Sequence, residues 1–296
     1  MVKSFLRLSK EDRIFKIAAY SILIIAFFIV TLPLINFVSI SVSSAKYVAS
    51  GSVMFLPKGI TLLAYRYVLG NSQFYQSFIV SVSITVIGTL TGVLIAVSVA
   101  YPLSKRKLPG RKLVTILFVA TMLFDVGIIP NYLLVRNLGL LNTIWALILP
   151  QVVIVFNFLV VKSFMESIPD EIEESAKIDG ASYLTILFRI IIPIAMPVLA
   201  TITLFYAVFY WNDYFNARFY ITMPSLMPIQ LYLRTVIFEA RDPTGSFSLS
   251  NESLLGIDVQ TVINATVVLA VIPILVVYPF VQRFFIKGLT IGSVKG

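Results

Sequence analysis

The chain has 296 residues, 58% of them hydrophobic and only 12% charged, with a formal net charge of +9. Soluble domains carry about a quarter of their residues as charges, so this composition marks an integral membrane protein. Neither cysteine nor histidine occurs, which excludes disulfides, thiolate or imidazole metal sites and imidazole general bases.

Residues 1–16 are polar and basic, and no charge interrupts residues 17–45. That run is about twice the roughly 7 to 15 apolar residues of a signal-peptide core, so a retained first span is expected over about 17–42. Pro57, Lys58 and Gly59 form a turn. The second span is expected over 76–104, with Tyr67, Phe74 and Tyr75 at headgroup level. Lys105, Arg106, Lys107, Arg111 and Lys112 then surround Pro109-Gly110 in a short basic loop. A third span over 113–135 holds Asp125 and Pro130. Gly139 suits a helix stop and Asn142 a helix start, so the fourth span is expected over 141–161.

Residues 167–197 stand apart, because Asp170, Glu171, Glu173, Glu174 and Asp179 are five of the chain's 14 carboxylates. Ser167 with Asp170 reads as a capping box, and carboxylates favour the positive end of a helix dipole. Ile168, Ile172, Ala176 and Asp179 give one narrow stripe, and Gly180 suits the left-handed turn that ends a helix. A second short helix is expected from Ser182 to Phe188, so that short helices occupy 169–188. The fifth span, 190–212, contains Pro193 and Pro197 and closes in Tyr206, Phe209, Tyr210, Trp211, Tyr214 and Phe215. A polar loop over 216–258, with Asp242-Pro243-Thr244-Gly245, leads to a sixth span over 259–282 and a basic tail.

Six spans put both termini on one side. Sixteen of the 23 lysines and arginines fall on that side and seven on the other. The positive-inside rule therefore predicts cytoplasmic termini, a cytoplasmic acidic segment and an external 216–258 loop. The expected fold class is all-α: a polytopic membrane protein of six transmembrane helices forming one domain over 1–296. No Gly-x-x-x-x-Gly-Lys-Ser/Thr occurs, so any ATP is handled by a partner.

Glu174-Ser175-Ala176-Lys177-Ile178-Asp179-Gly180, followed by Arg189-Ile190-Ile191-Ile192-Pro193, resembles the EAA loop of permease subunits of binding-protein-dependent ABC importers. Ser175 and Ile192 depart from the usual Ala and Leu. Leu138-Gly139-Leu140-Leu141-Asn142-Thr143 and the ending from Gln282 to Lys295-Gly296 resemble the carbohydrate-uptake branch, in the shape of its smaller maltose-type permease. Gly127-Ile128-Ile129-Pro130 running into Tyr132 is similar to subunits for complex or uronate-containing oligosaccharides. The resemblance implies a non-catalytic permease of a bacterial plasma membrane importer. It implies as partners a second permease, two ATPase subunits that bind ATP and Mg, and an external sugar-binding protein, with no nucleic acid and no metal. It implies that Glu173, Glu174, Ala176, Asp179 and Gly180 shape a coupling helix that docks on the ATPase.

Two rival classes need other residues. A secondary transporter requires coupling-ion ligands near the midplane, where only Asp125 lies. An intramembrane enzyme requires a nucleophile with a base, and no two candidates share a span. At ~1.5 Å per residue Asp125 lies about 18 Å into the third span, near the middle of a ~30 Å hydrocarbon layer. Tyr206, Tyr210, Trp211, Asn212 and Tyr214 combine flat faces with polar edges, which suits sugar rings. For Tyr206 and Tyr214 an interfacial aromatic belt is an equal reading. Asp125, Asn131, Tyr210, Trp211, Asn212 and Asp213 are thus expected to face a translocation cavity, and the 216–258 loop to meet the binding protein.

Overall fold

A computed structural model describes residues 10–124, 126–239 and 256–292, which form helices and turns with no strand among them. In chain order the helices are α1 (Lys10–Ser41), α2 (Ala45–Ala49), α3 (Leu63–Gly70), α4 (Ser72–Ser104), α5 (Arg111–Leu123), α6 (Ile128–Asn137), α7 (Trp145–Ile148), α8 (Val155–Glu166), α9 (Asp170–Ile178), α10 (Tyr183–Ile186), α11 (Ile192–Trp211), α12 (Phe215–Tyr220), α13 (Ile229–Glu239) and α14 (Val259–Gly292). Among the described residues, four continuous helices are long and apolar enough to cross a membrane: Ile14–Ser41, Ser72–Ser104, Tyr183–Trp211 and Val259–Pro279. Two bent pairs, Arg111–Leu123 with Ile128–Asn137 and Trp145–Gln151 with Val155–Glu166, raise the number to six if each pair is one span.

The third and fourth spans differ from the single helices expected at 113–135 and 141–161, and proline explains both. Gly127, at φ +81°, opens α6. Pro130 therefore sits in a first helical turn, where its missing N–H interrupts nothing. Pro150 lies in a 3₁₀ turn, Leu149–Gln151, and Ile154 is extended before α8 resumes at an angle of 48°. The fifth span instead starts earlier than expected. Tyr183–Trp211 is one helix, with α10 running through a π-turn at Leu187–Ile191 into α11. Pro193 cannot donate a hydrogen bond to the preceding turn, and the widened turn beside it accommodates the gap.

Within the expected 216–258 loop, the described residues 216–239 are structured. They form α12, a 3₁₀ turn at Pro224–Leu226 and α13, whose first residue Ile229 is fully buried. Asn142 is not a helix start, since α7 begins at Trp145. At φ +57° it instead receives this loop. Its Oδ1 accepts from the Thr222 N–H (2.7 Å), the Thr222 hydroxyl (3.0 Å) and the Met223 N–H (3.1 Å), while its own N–H donates to the Tyr220 carbonyl. Ser81 Oγ accepts from the Ile229 N–H at 2.7 Å. Asp125 and the Asp242-Pro243-Thr244-Gly245 turn lie outside the described residues.

The chain divides into two units, residues 1–71 with 236–269 and residues 72–235 with 270–296. In the first, buried Ser39 and Ser43 at the end of α1 hold the following loop. The Ser39 hydroxyl donates to the Phe55 carbonyl at 2.7 Å, and Ser43 Oγ accepts from the Lys58 N–H at 3.0 Å. In the second, α4 packs against α8 and α11. Gly88 and Gly92 form one small-residue face on α4. A Cβ added to Gly88 would meet the Tyr210 ring at 2.6 Å, and one added to Gly92 the Tyr206 ring at 2.6 Å. Glycine at these two positions lets two aromatic rings lie directly on the backbone, so the helices approach closely.

Candidate functional site

The acidic helix α9 begins at Asp170 after Pro169, but Ser167 does not cap it. Ser167 closes α8 instead, its hydroxyl donating to the Phe164 carbonyl at 2.7 Å. The far end matches the sequence reading. Gly180 is left-handed at φ +81°, its N–H donates to the Lys177 carbonyl and the Ala181 N–H to the Ala176 carbonyl. These paired bonds are a Schellman cap, which satisfies carbonyls that the helix end leaves free. Ser182 then caps the next helix by accepting from the Thr185 N–H at 3.3 Å.

The buried face of α9 is Ala176, from the expected Ile168-Ile172-Ala176-Asp179 stripe, together with Glu173, and Ile168 packs partly buried against the core just before the helix. Glu173 is only 5% exposed, while Ile172 and Asp179 face outward. A carboxylate is tolerated there because Lys105 pairs with it. Burying a lone carboxylate is strongly unfavourable, and an ion pair offsets that penalty. Glu174 stays at the surface in an exposed pair with Lys107 at 3.3 Å. Thus Glu173, Ala176 and Gly180 shape and seat the knob, and Glu174 and Asp179 decorate it.

What the knob presents is apolar. Ile178 is 87% exposed, and Tyr183 and Leu184 just beyond Gly180 are 65% and 67% exposed. Between this edge and the 105–109 loop lies a groove of about 730 Å³, walled by Tyr101, Leu108, Pro109, Glu173, Tyr183 and Leu184 among others. An exposed isoleucine, tyrosine and leucine within seven residues form a surface suited to a protein partner. Sequence reasoning missed Tyr183, Leu184 and Lys105. The available signal for Lys105 was the pairing of the chain's densest basic block with its densest acidic one.

The expected sugar-path residues separate in the structure. Tyr210 is buried, with its hydroxyl donating to the Ile148 carbonyl at 3.2 Å and its ring stacked on Tyr206. Tyr206 is fully buried, and its hydroxyl donates to the Val152 carbonyl (3.2 Å) and accepts from the Ile154 N–H (3.3 Å). The belt reading for Tyr206 therefore fails, because the break in the fourth span frees backbone groups that these tyrosines satisfy. Trp211 is also buried, donating to the Ala270 carbonyl at 3.2 Å and meeting the Phe78 ring edge-on. Tyr214 lies under the Arg234 guanidinium, 5.9 Å from its ring centroid.

Asn212 is exposed and caps α11 by donating to the Val208 carbonyl. Asp213 is half-buried and accepts from the Asn216 backbone and side-chain N–H groups at 3.1 Å. Burial pushes its carboxyl above the usual range, against the lowering effect of those hydrogen bonds. Tyr220 is likewise pushed up, by burial and by the nearby Asp213. Asn131, in the first turn of α6, is half-buried. The structure thus groups Tyr210, Trp211, Asn212 and Asp213 at one helix end and places Asn131 on a different helix, while Asp125 lies outside the described residues.

Residues 88–291 match the family of binding-protein-dependent transport system inner membrane components. The chain is 41% identical over 286 residues to the polygalacturonan/rhamnogalacturonan transport system permease protein YtcP of Bacillus subtilis, covering 97% of this chain and 100% of that one. It is 43% identical over 268 residues to Protein LplC of the same organism, covering 90% of each. Among solved structures it resembles a chain of a bacterial ABC transporter involved in the import of the acidic polysaccharide alginate. There the TM-score is 0.88 at 35% identity, over 94% of this chain and 99% of that one. The EAA-like loop, the apolar helices and these matches agree: the chain belongs to the binding-protein-dependent transport system inner membrane components, the permeases of ABC importers.

Proposed function

We propose that the chain is the six-span permease subunit of an ATP-driven importer for carboxylate-bearing oligosaccharides, with both termini and α9 in the cytoplasm. The observation that carries this reading is the knob at 170–184. It is a Schellman-capped acidic helix followed by a second capped turn, with Ile178, Tyr183 and Leu184 exposed on its edge. An ATPase subunit covers that edge, binding ATP and Mg and carrying out the hydrolysis within itself. A second permease pairs with the membrane face, and an external solute-binding protein delivers the sugar. The substrate class is supported by the names of a polygalacturonan/rhamnogalacturonan permease and an alginate importer among the relatives.

Affinity purification through a tag on this chain should bring a second permease and an ATPase chain. A cysteine at Ile178, the only one in the chain, should cross-link to that ATPase. Uptake in cells should favour galacturonate oligomers over neutral maltodextrins. If Ile178→Cys cross-links to nothing while the complex purifies intact, the knob is not the docking element.

A further inference from the structure

The basic loop entered the sequence reading only as a topology marker, yet three of its cations are clasps. Lys105, the residue after α4, places Nζ 4.5 Å from the centroid of the Tyr101 ring and pairs with buried Glu173. Lys107 pairs with Glu174. Arg111, the first residue of α5, and Lys162 on α8 share Glu166 at 3.2 and 2.8 Å. Charge pairs therefore join the end of α4 to α9, and the start of α5 to the end of α8.

These pairs differ in strength. Lys107 and Glu174 have side chains 92% and 58% exposed, and pairs in that setting hold little. The Glu173 side chain is 6% exposed, so separating it from Lys105 would strand a desolvated carboxylate. Helix α9 has nine residues and buries only Glu173 and Ala176. A helix that short is not stable alone, so its attachment rests on that face.

We infer that Lys105 and Glu173 are positioning residues that lock the acidic helix to α4, so that α4 is the lever through which a push on the knob enters the membrane. The inference rests on the reading that an ATPase docks at α9. Its mechanical consequence follows from the packing above Lys105. On α4 the tyrosines of α11 lie directly on Gly88 and Gly92, and the hydroxyls of those tyrosines hold the break in the fourth span. Motion of α4 is thereby delivered to α11 and to the bend between α7 and α8.

The test uses spin labels at Leu94→Cys on α4 and Glu171→Cys on α9, both exposed positions in a chain without native cysteine. In the tagged complex, the label distance should be narrow and identical in the nucleotide-free and vanadate-trapped states. Glu173→Gln and Lys105→Gln should each broaden it and make it differ between the two states. Both should lower transport-coupled ATP hydrolysis by at least ~5-fold, the low end of a typical coupling between sites. Lys105→Arg should keep the distance narrow, and Lys107→Gln should leave it unchanged. A narrow distance in both glutamine variants, or a state-dependent distance in the unsubstituted protein, overturns the inference. If the glutamine variants do not assemble, the exchange Lys105→Glu with Glu173→Lys decides, since failure to restore assembly rejects the pair. Loss of the Ile178→Cys cross-link would overturn the docking reading alone, because the label distance reads the link between α4 and α9 by itself.

Discussion

Tyr206 shows how much one hydroxyl can hold. The Ile154 N–H is bonded by the Tyr206 hydroxyl at the break, and Tyr206→Phe would leave this half-buried group without that acceptor, a loss of roughly 1 to 3 kcal/mol. The thermal midpoint in detergent should fall. Gly92→Ala should lower it as well, because the new methyl meets the ring at 2.6 Å and overpacking of this kind costs about 1 to 3 kcal/mol. Combining Gly92→Ala with Tyr206→Leu should destabilise by less than the sum of the two, and strict additivity would refute direct contact. Asp213 supplies a pH dependence with a definite sign. Its folded-state pKa is raised, so the stability it contributes is full below the ordinary carboxylate value and is lost as pH rises through the folded value. Asp213→Asn should flatten the decline of the thermal midpoint between acidic and neutral pH, and an unchanged slope would rule out Asp213 as its source. Sequence reasoning placed Tyr206 in an aromatic cluster but could not see that it faces Gly92, more than a hundred residues away. Flat polar rings suit a sugar, a lipid interface and a broken helix equally well, and only packing separates the three.

At the level of elements, what was legible followed local chemistry. Apolar runs and turn residues located four continuous helices, and Gly180 ended α9 as its conformational freedom requires. Errors arose where a long-range partner overrode a local pattern. Glu173 rather than Ile172 faces inward because Lys105 is there, and the 216–239 segment is helical because Asn142 and Ser81 anchor it. The Gly180 turn can be graded experimentally. No atom lies within 4 Å of a Cβ built at Gly180, so substitution there strains the backbone alone. Asparagine tolerates the left-handed region, alanine less so and a β-branched residue least, with Gly180→Val costing roughly 1 to 3 kcal/mol. Stimulated ATP hydrolysis by the complex should therefore decline in the order Gly, Asn, Ala, Val. An alanine variant better than the asparagine variant would show that something other than φ governs the turn.

For the whole molecule, the two bent pairs decide the topology. If Arg111–Leu123 with Ile128–Asn137 crosses the membrane, residues 138–144 lie opposite the basic loop and α9, after one further crossing, lies on the same side as that loop. If the pair turns back, residues 138–144 share a side with Lys105 to Lys112, and α9 changes side unless the second pair also turns back. The charge pairs of Lys105 with Glu173 and Lys107 with Glu174 require the basic loop and α9 to share a side. Both pairs must therefore cross, or neither. The Asn142 bonds to Thr222 and Met223 require the 138–144 turn to share a side with the 221–223 segment. That segment follows the crossing by Tyr183–Trp211, which starts at α9, so it lies opposite α9 and opposite the basic loop. Two crossings satisfy both requirements, and two returns fail the second. Single cysteines at Pro109, Gly139 and Ser225 test this directly in right-side-out vesicles. A membrane-impermeant maleimide should label Gly139→Cys and Ser225→Cys from outside, and Pro109→Cys only after permeabilisation, as the excess of cations on the inner side also predicts. Labelling of Gly139→Cys together with Pro109→Cys would return the pair Arg111–Leu123 with Ile128–Asn137 to the inner face and remove the six-span topology.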